Sequence, residues 1–223
     1  MNLSKYCFLY DFIPSLKEVI ENKKLSFKQK RSLKFIFKYY DVNIIKNNKK
    51  ILRKKIKLQK SKISIAELKK KSLLLNERII NSEEFKTAKS IFCYISFEDE
   101  IDTFKILEFC LKNNKILSVP VIKTDKIMIP AVINSLNNLE RNKFGILEPR
   151  KYKIIDKNDI DLVIVPAFGY NPLGYRIGYG GGYYDVFLKD FKGFSIGMVL
   201  KDFLINDLIP EKYDIPVKKL FIQ

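Results

Sequence analysis

A mainly parallel α/β sheet with helices on both faces, preceded by an extra N-terminal helical segment, is the fold this sequence predicts. Three observations carry that expectation. Short runs rich in β-branched and apolar residues recur from about residue 90 to the C-terminus, and stretches with helical spacing separate them. One of these runs, Asp161-Leu162-Val163-Ile164-Val165-Pro166, is unbroken and closed by proline, as a short buried strand would be. A glycine-rich loop follows it, at the strand end where such folds receive ligands.

Taken in order, residues 1–48 read as a basic helical extension carrying Leu16, Val19, Ile20, Leu33, Phe35, Ile36 and Phe37, with a break expected at Asn43 to Asn48. No chemical motif marks this extension, and its role is open. A single α/β domain is expected over residues 49–223. Leu52, Ile56 and Ile63 suggest one apolar stripe on a first helix whose other face is Lys and Arg. Ser64-Ile65-Ala66-Glu67 matches a capping box opening a helix to about Ile80, and Ser82-Glu83-Glu84 starts a short one. Strands are expected at Ser90–Phe97, Ile116–Ile122, Ile127–Ile133, Leu162–Val165, Phe194–Leu200 and Val217–Ile222. Helices are expected after a cap at Asp102 or Thr103, from Tyr184 to Phe191, and at Phe203–Leu208. The polar stretch Asn134–Asn158 reads as loop.

Composition narrows the chemistry. Hydrophobic residues make up 47% of the 223, enough for a globular core. Three cysteines, odd in number and unpatterned, argue against a disulfide framework or a zinc site. The chain has no histidine, which excludes every mechanism that needs an imidazole base or ligand. The net charge of +17 is uneven: residues 1–90 hold 24 Lys/Arg against 8 Asp/Glu. That asymmetry fits either solvated helix faces or contact with a polyanion. The stretch around Cys7-Phe8-Leu9-Tyr10 is interrupted by Asp11 and is too short for a signal peptide or membrane span, so a cytoplasmic location without membrane contact is expected.

The glycine loop, Arg176-Ile177-Gly178-Tyr179-Gly180-Gly181-Gly182-Tyr183-Tyr184-Asp185, is where chemistry concentrates. Alternating glycines leave backbone amides unobstructed, and a helix start carries partial positive charge, so an anion such as phosphate is well received. Arg176 adds a cation of fork geometry, and Asp185 a hard oxygen suited to magnesium. The spacing is not that of the dinucleotide or P-loop motifs. The same glycines would also serve a tight turn needing positive φ.

Five stretches together resemble the 5-formyltetrahydrofolate cyclo-ligase (5,10-methenyltetrahydrofolate synthetase) family, from about Lys49 to the C-terminus. They are Lys49-Lys50-Ile51-Leu52-Arg53, Ser96-Phe97-Glu98-Asp99-Glu100-Ile101-Asp102-Thr103, Phe144-Gly145-Ile146-Leu147-Glu148-Pro149, the Arg176–Asp185 loop, and Ile209-Pro210-Glu211-Lys212-Tyr213-Asp214-Ile215-Pro216-Val217. Three departures stand out. Tyr213 replaces a usual histidine, Asn171-Pro172-Leu173 replaces a basic segment expected near the site mouth, and Met128-Ile129-Pro130-Ala131 lacks the usual aromatics.

The resemblance implies an ATP- and magnesium-dependent ring closure. The formyl oxygen of 5-formyltetrahydrofolate takes the γ-phosphoryl group, and the neighbouring secondary amine then attacks the activated carbon as phosphate leaves. Such chemistry asks for positioning and charge neutralisation, not a histidine base. It implies Lys49 and Arg176 as catalytic cations, joined at the nucleotide by Arg53, Gly178, Tyr179, Gly180, Gly181, Gly182 and Tyr183. Asp185 and Asp214 are implied as magnesium carboxylates, and Glu100, Tyr183 and Tyr184 as folate contacts. The bland alternatives are solvated helix cations, a helix lead-in at Glu100, core tyrosines, and turn-forming aspartates. Partners are then small molecules, a reduced folate and ATP, and the chain is expected to be a monomer. The competing expectation is a nucleic-acid-binding protein acting through basic residues 1–90.

Overall fold

The computed structural model describes residues 48–123, 127–142 and 145–223. The helical extension and nearly all of the break expected at residues 43–48 lie outside the described residues. Asn48, placed in that break by sequence, is already helical, and its amide bonds the 207–209 loop, accepting from Ile209 N at 3.2 Å and donating to Asp207 O at 3.0 Å.

Helix α1 (48–60) carries Lys49, Arg53, Lys57 and Lys60 at three- and four-residue steps, so they share a face. Leu52 and Ile56 occupy the neighbouring face and are buried. The helix stops at Lys60; Ile63 lies in the following turn and packs on the core from there. Ser64 caps α2 (Ile65–Ile80) by accepting from Glu67 N at 3.2 Å, but Glu67 pairs with Lys71 at 2.8 Å instead of returning the capping-box bond. Ser82 caps α3 (Glu83–Thr87).

The seven-stranded sheet runs β11-β10-β7-β1-β2-β3-β6. Its strands are β1 (Ser90–Cys93), β2 (Ile116–Ile122), β3 (Met128–Ile133), β6 (Lys153–Ile154), β7 (Leu162–Val165), β10 (Phe194–Val199) and β11 (Lys219–Ile222). From β11 to β2 every pairing is parallel; β3 and β6 are antiparallel additions at one edge. Helix α4 (Phe104–Lys112) is the β1-to-β2 crossover, and α5 (Tyr183–Leu188) precedes β10. The central strands β1 and β7 are buried throughout, as unbroken apolar runs demand.

Several boundaries differ from expectation. The first strand ends at Cys93 rather than Phe97, because Thr103 turns the chain: its Oγ1 donates to Tyr94 O at 2.8 Å and accepts from Ser96 N at 3.1 Å. Asp102 instead caps α4, its Oδ1 accepting from Phe104 N at 2.8 Å. The expected loop 134–158 contains a small hairpin, β4 (Leu139–Arg141) with β5 (Leu147–Pro149), as well as β6. The expected helix 203–208 is a single 3₁₀ turn at Lys201–Phe203, after which Leu204 bridges Tyr170.

Sequential order explains where a ligand can sit. From β1 the chain moves one way to β2 and β3, then returns to place β7 on the other side of β1. Loops leaving the carboxyl ends of β1 and β7 therefore diverge, and a crevice opens between them.

Candidate active site

The crevice is a cavity of about 970 Å³, walled by the loop after β1, the loop after β7 and the cationic face of α1. Lys49, Arg53, Lys57 and Lys60 all line it. After β7 the chain makes a hairpin that sequence did not reveal, β8 (Gly169–Tyr170) with β9 (Arg176–Ile177). Asn171 builds its turn by accepting from Leu173 N and Tyr175 N at 3.0 and 2.9 Å. Gly174 is required there, since its φ is +83° and a Cβ would lie 2.5 Å from Val217 O. The segment 171–173 thus shapes a turn and does not line the cavity, contrary to the expectation of a site-mouth position.

The hairpin delivers Arg176, 7% exposed, to the cavity floor. Its Nη2 meets Asp185 Oδ1 at 2.5 Å and its Nη1 donates to Ile215 O at 2.7 Å. Ile215 N returns a bond to the same Asp185 oxygen at 3.1 Å. One residue earlier, Asp214 accepts from Lys49 Nζ at 2.7 and 2.6 Å and from Glu211 N at 2.6 Å. Two carboxylates and two cations from four separate segments thus converge. Between them the glycine loop is held at its stem, where Arg53 Nε donates to Gly178 O at 2.8 Å. Gly180 and Gly182 have φ of +104° and +71°, which side chains resist. Helix α5 is only six residues long, so anion attraction here rests on loop amides and cations more than on a helix dipole.

The opposite wall is aromatic and acidic. Glu100 folds back over its own loop, its Oε2 accepting from Phe97 N at 2.9 Å, and it lines the cavity together with Tyr179. Burial raises the Glu100 carboxyl above the usual range, against that bond and the nearby Lys60. The Tyr179 ring lies on Phe168, centroids 4.3 Å apart. Phe97, Phe168, Pro120, Met128 and Ile146 also line the cavity. An aromatic wall is therefore present although Met128–Ala131 lacks aromatics. Tyr213 is 75% exposed and outside the cavity lining, so its replacement of histidine falls at the surface.

Lys60 and Phe168 are cavity residues that sequence reading missed. Lys60 is the more unusual of the two. It is 8% exposed, donates to Asp99 O at 2.8 Å and lies 5.3 and 5.7 Å from the Phe168 and Phe203 ring centroids. Burial lowers its ammonium pKa against the pull of Asp99 and Glu100. Only its place in the stripe from Lys49 could have singled it out among so many lysines. Tyr183 and Tyr184 both line the cavity. The Tyr184 ring stacks on Phe92 with centroids 6.3 Å apart, and its buried hydroxyl has no hydrogen-bond partner among the described residues.

The sequence model of the 5-formyltetrahydrofolate cyclo-ligase family matches residues 45–223. The chain belongs to that family. The family domain begins slightly ahead of Lys49, in keeping with the helical, hydrogen-bonded Asn48. Among relatives of this cyclo-ligase family, the probable 5-formyltetrahydrofolate cyclo-ligase of Caenorhabditis elegans is 28% identical over 198 residues, covering 82% of this chain and 96% of the relative. The 5-formyltetrahydrofolate cyclo-ligase of Mus musculus is 23% identical over 193 residues, with 80% and 95% covered. The solved 5,10-methenyltetrahydrofolate synthetase of Aquifex aeolicus superposes with a TM-score of 0.70 at 29% identity, covering 78% of this chain and 89% of that one.

Proposed function

We propose that this protein is an ATP- and magnesium-dependent 5-formyltetrahydrofolate cyclo-ligase, forming 5,10-methenyltetrahydrofolate with release of ADP and phosphate. The observation that carries the reading is a single cavity with two unlike walls. One holds the Lys49–Asp214 and Arg176–Asp185 pairs around a glycine loop; the other holds Glu100 among aromatic rings. A charged phosphate donor suits the first wall, and a planar, polar-edged pterin suits the second.

Lys49, Arg53 and Arg176 neutralise phosphate charge, each charged hydrogen bond contributing about 1.5–3 kcal/mol. Gly178, Gly180, Gly181 and Gly182 let backbone approach the phosphates. Glu100 accepts from the folate's polar edge, and Tyr183 and Tyr184 close the substrate's side of the cavity. Magnesium needs one or two protein carboxylates and fills its remaining positions with phosphate and water, so the donor set of Asp185 and Asp214 fits it. When bound, the metal would neutralise phosphate charge. The ion pairs are already matched for such an exchange: each cation can turn from carboxylate to phosphate while the carboxylate turns to the metal. Holding formyl oxygen, phosphoryl group and amine in line is the remaining requirement, and it needs no base of histidine type.

Within residues 48–60 the basic face turns four cations into the cavity, which removes much of the support for a nucleic-acid surface there. Among the described residues no helix is long and apolar enough to cross a membrane. A monomer acting in the cytoplasm on small molecules is the accompanying proposal. The test is the near-ultraviolet absorbance of the methenyl product in a mixture of protein, 5-formyltetrahydrofolate, ATP and magnesium. A rise that needs both ATP and metal, and that Asp185→Ala abolishes, is expected. A flat trace from folded, ATP-binding protein refutes the reading.

A further inference from the structure

Helix α1 ends on a lysine whose side chain is buried, its ammonium 5.3 and 5.7 Å from the ring centroids of Phe168 and Phe203. The ammonium donates to Asp99 O at 2.8 Å, and the Asp99 carboxylate stands 3.6 Å away. A methionine would fill the same slot between the rings without the cost of desolvating a charge. What the ammonium of Lys60 adds is therefore its hold on the loop after β1. That loop is strained: Glu98 has a φ of +48°, left-handed backbone that a side chain resists. A turn surrounds it, with Glu100 N donating to Phe97 O at 3.1 Å and Glu100 Oε2 accepting from Phe97 N at 2.9 Å. Both bonds lie within residues 97–100, so they set the shape of the turn but not its place in the cavity. Other anchors sit at the loop's ends, where Thr103 bonds Ser96 and Asn76 donates to Asp102 O. Lys60 reaches the middle, one residue from Glu100.

We propose that Lys60 is a positioning residue for the folate: through the Asp99 carbonyl it holds the turn that presents Glu100 to the cavity. The proposal rests on the cyclo-ligase reading given above. Lys60 shares a face of α1 with Lys49 and Arg53, and it lies about 16 Å along the axis from Lys49. Lys49 and Arg53 are tied to Asp214 and to Gly178 O, on the phosphate side, while Lys60 is tied to Asp99. One helix thus spans both walls and sets the distance between them. A folate whose polar edge meets Glu100 while its formyl oxygen meets the γ-phosphoryl group depends on that distance.

The test is calorimetric titration of the full chain with 5-formyltetrahydrofolate and, separately, with a non-hydrolysable ATP analogue and magnesium. The proteins are wild type, Lys60→Met, Lys60→Gln, Glu100→Gln and the double variant Lys60→Met/Glu100→Gln, with thermal melts confirming folding. Lys60→Met keeps the stem between the rings and removes the hold. Folate binding should weaken about tenfold, the share of one charged hydrogen bond, while the ATP analogue binds within about twofold of wild type. Lys60→Gln carries a neutral donor one bond shorter and should weaken folate binding at least about threefold. Added to Glu100→Gln, Lys60→Met should cost no more than about a further twofold, because the turn then has no carboxylate to misplace. Unchanged folate affinity in either folded Lys60 variant overturns the proposal. So does equal weakening of folate and ATP-analogue binding, which is general damage to the cavity, and so does a fully additive loss in the double variant. Wild-type affinity in Glu100→Gln places the folate away from Glu100, which overturns the proposal and leaves the cyclo-ligase reading standing. No folate binding in wild type overturns the functional reading itself.

Discussion

Replacing Tyr184 by phenylalanine should make the protein more stable and less active. The Tyr184 hydroxyl is buried and has no hydrogen-bond partner among the described residues, while its ring is held by Phe92. Burying an unpaired polar group costs about 1–3 kcal/mol, and phenylalanine removes that group while keeping the ring. The small void left by one oxygen returns part of this, so a net gain of about 1–2 kcal/mol is expected. For a domain of this size, 1 kcal/mol moves the melting temperature by roughly 2–4 °C, so a rise of about 2–8 °C should be seen. Tyr184 is also a cavity-lining residue, and a shift of its ring on substrate binding would give the hydroxyl its first partner. Losing one neutral hydrogen bond of about 1 kcal/mol predicts a fall of roughly fivefold in kcat/KM. Urea denaturation and steady-state kinetics on the same preparations read both effects. A destabilised Tyr184→Phe refutes the argument, because it would mean the hydroxyl is satisfied within the fold. A stabilised variant with unchanged kinetics refutes the part that assigns it to substrate.

Other perturbations test other walls of the cavity. Glu100, raised by burial from its ordinary 4.5, keeps its proton in the folded chain after the unfolded chain has lost its own. Stability should therefore fall as pH rises through that raised value, while folate affinity climbs over the same window; Glu100→Gln should flatten both curves, read by urea midpoints and titration. Lys60, lowered by burial from 10.5, gives the opposite sign: the unfolded chain binds the extra proton between the folded value and 10.5, so stability rises with pH there. Lys60→Met should abolish that alkaline rise, measured as the difference in urea midpoints between neutral and alkaline buffer. Asp185→Asn keeps the shape beside Arg176 but removes the charge opposite a guanidinium whose side chain is 6% exposed. A loss of about 1–3 kcal/mol in stability is expected, with a fall of about 100-fold or more in kcat, checked by melts and by the absorbance assay.

How much of this site could be read from sequence follows from how many residues each feature needs to announce itself. The strands β1, β2, β7 and β10 are four to seven residues of nearly continuous apolar character, and such runs show without a structure. The β8–β9 hairpin is two residues on each side, too short for any period, and so Arg176 read as part of a loop when it stands on a strand. Antiparallel pairing of β2 with β3 was equally hidden, because alternation does not encode direction; Pro120 faces Pro130 across that pair. Within the site, chemically distinctive residues were legible: Arg176, Asp185 and Asp214 are rare types in their neighbourhoods, and the structure brings them together. Lys60 and Phe168 were not, because a lysine on a lysine-rich helix and a phenylalanine among 17 carry no mark of burial or of neighbours. Tyr179 shows the limit most clearly. Its place between glycines suggested a nucleotide contact, but a loop without Cβ atoms on either side can send its side chain either way. Only the position of Phe168, just ahead of β8, decides that its ring turns toward the aromatic wall. Residues that act through their own loop's geometry are readable in sequence; residues whose role depends on which two loops meet are fixed by the sheet order that sets those loops apart.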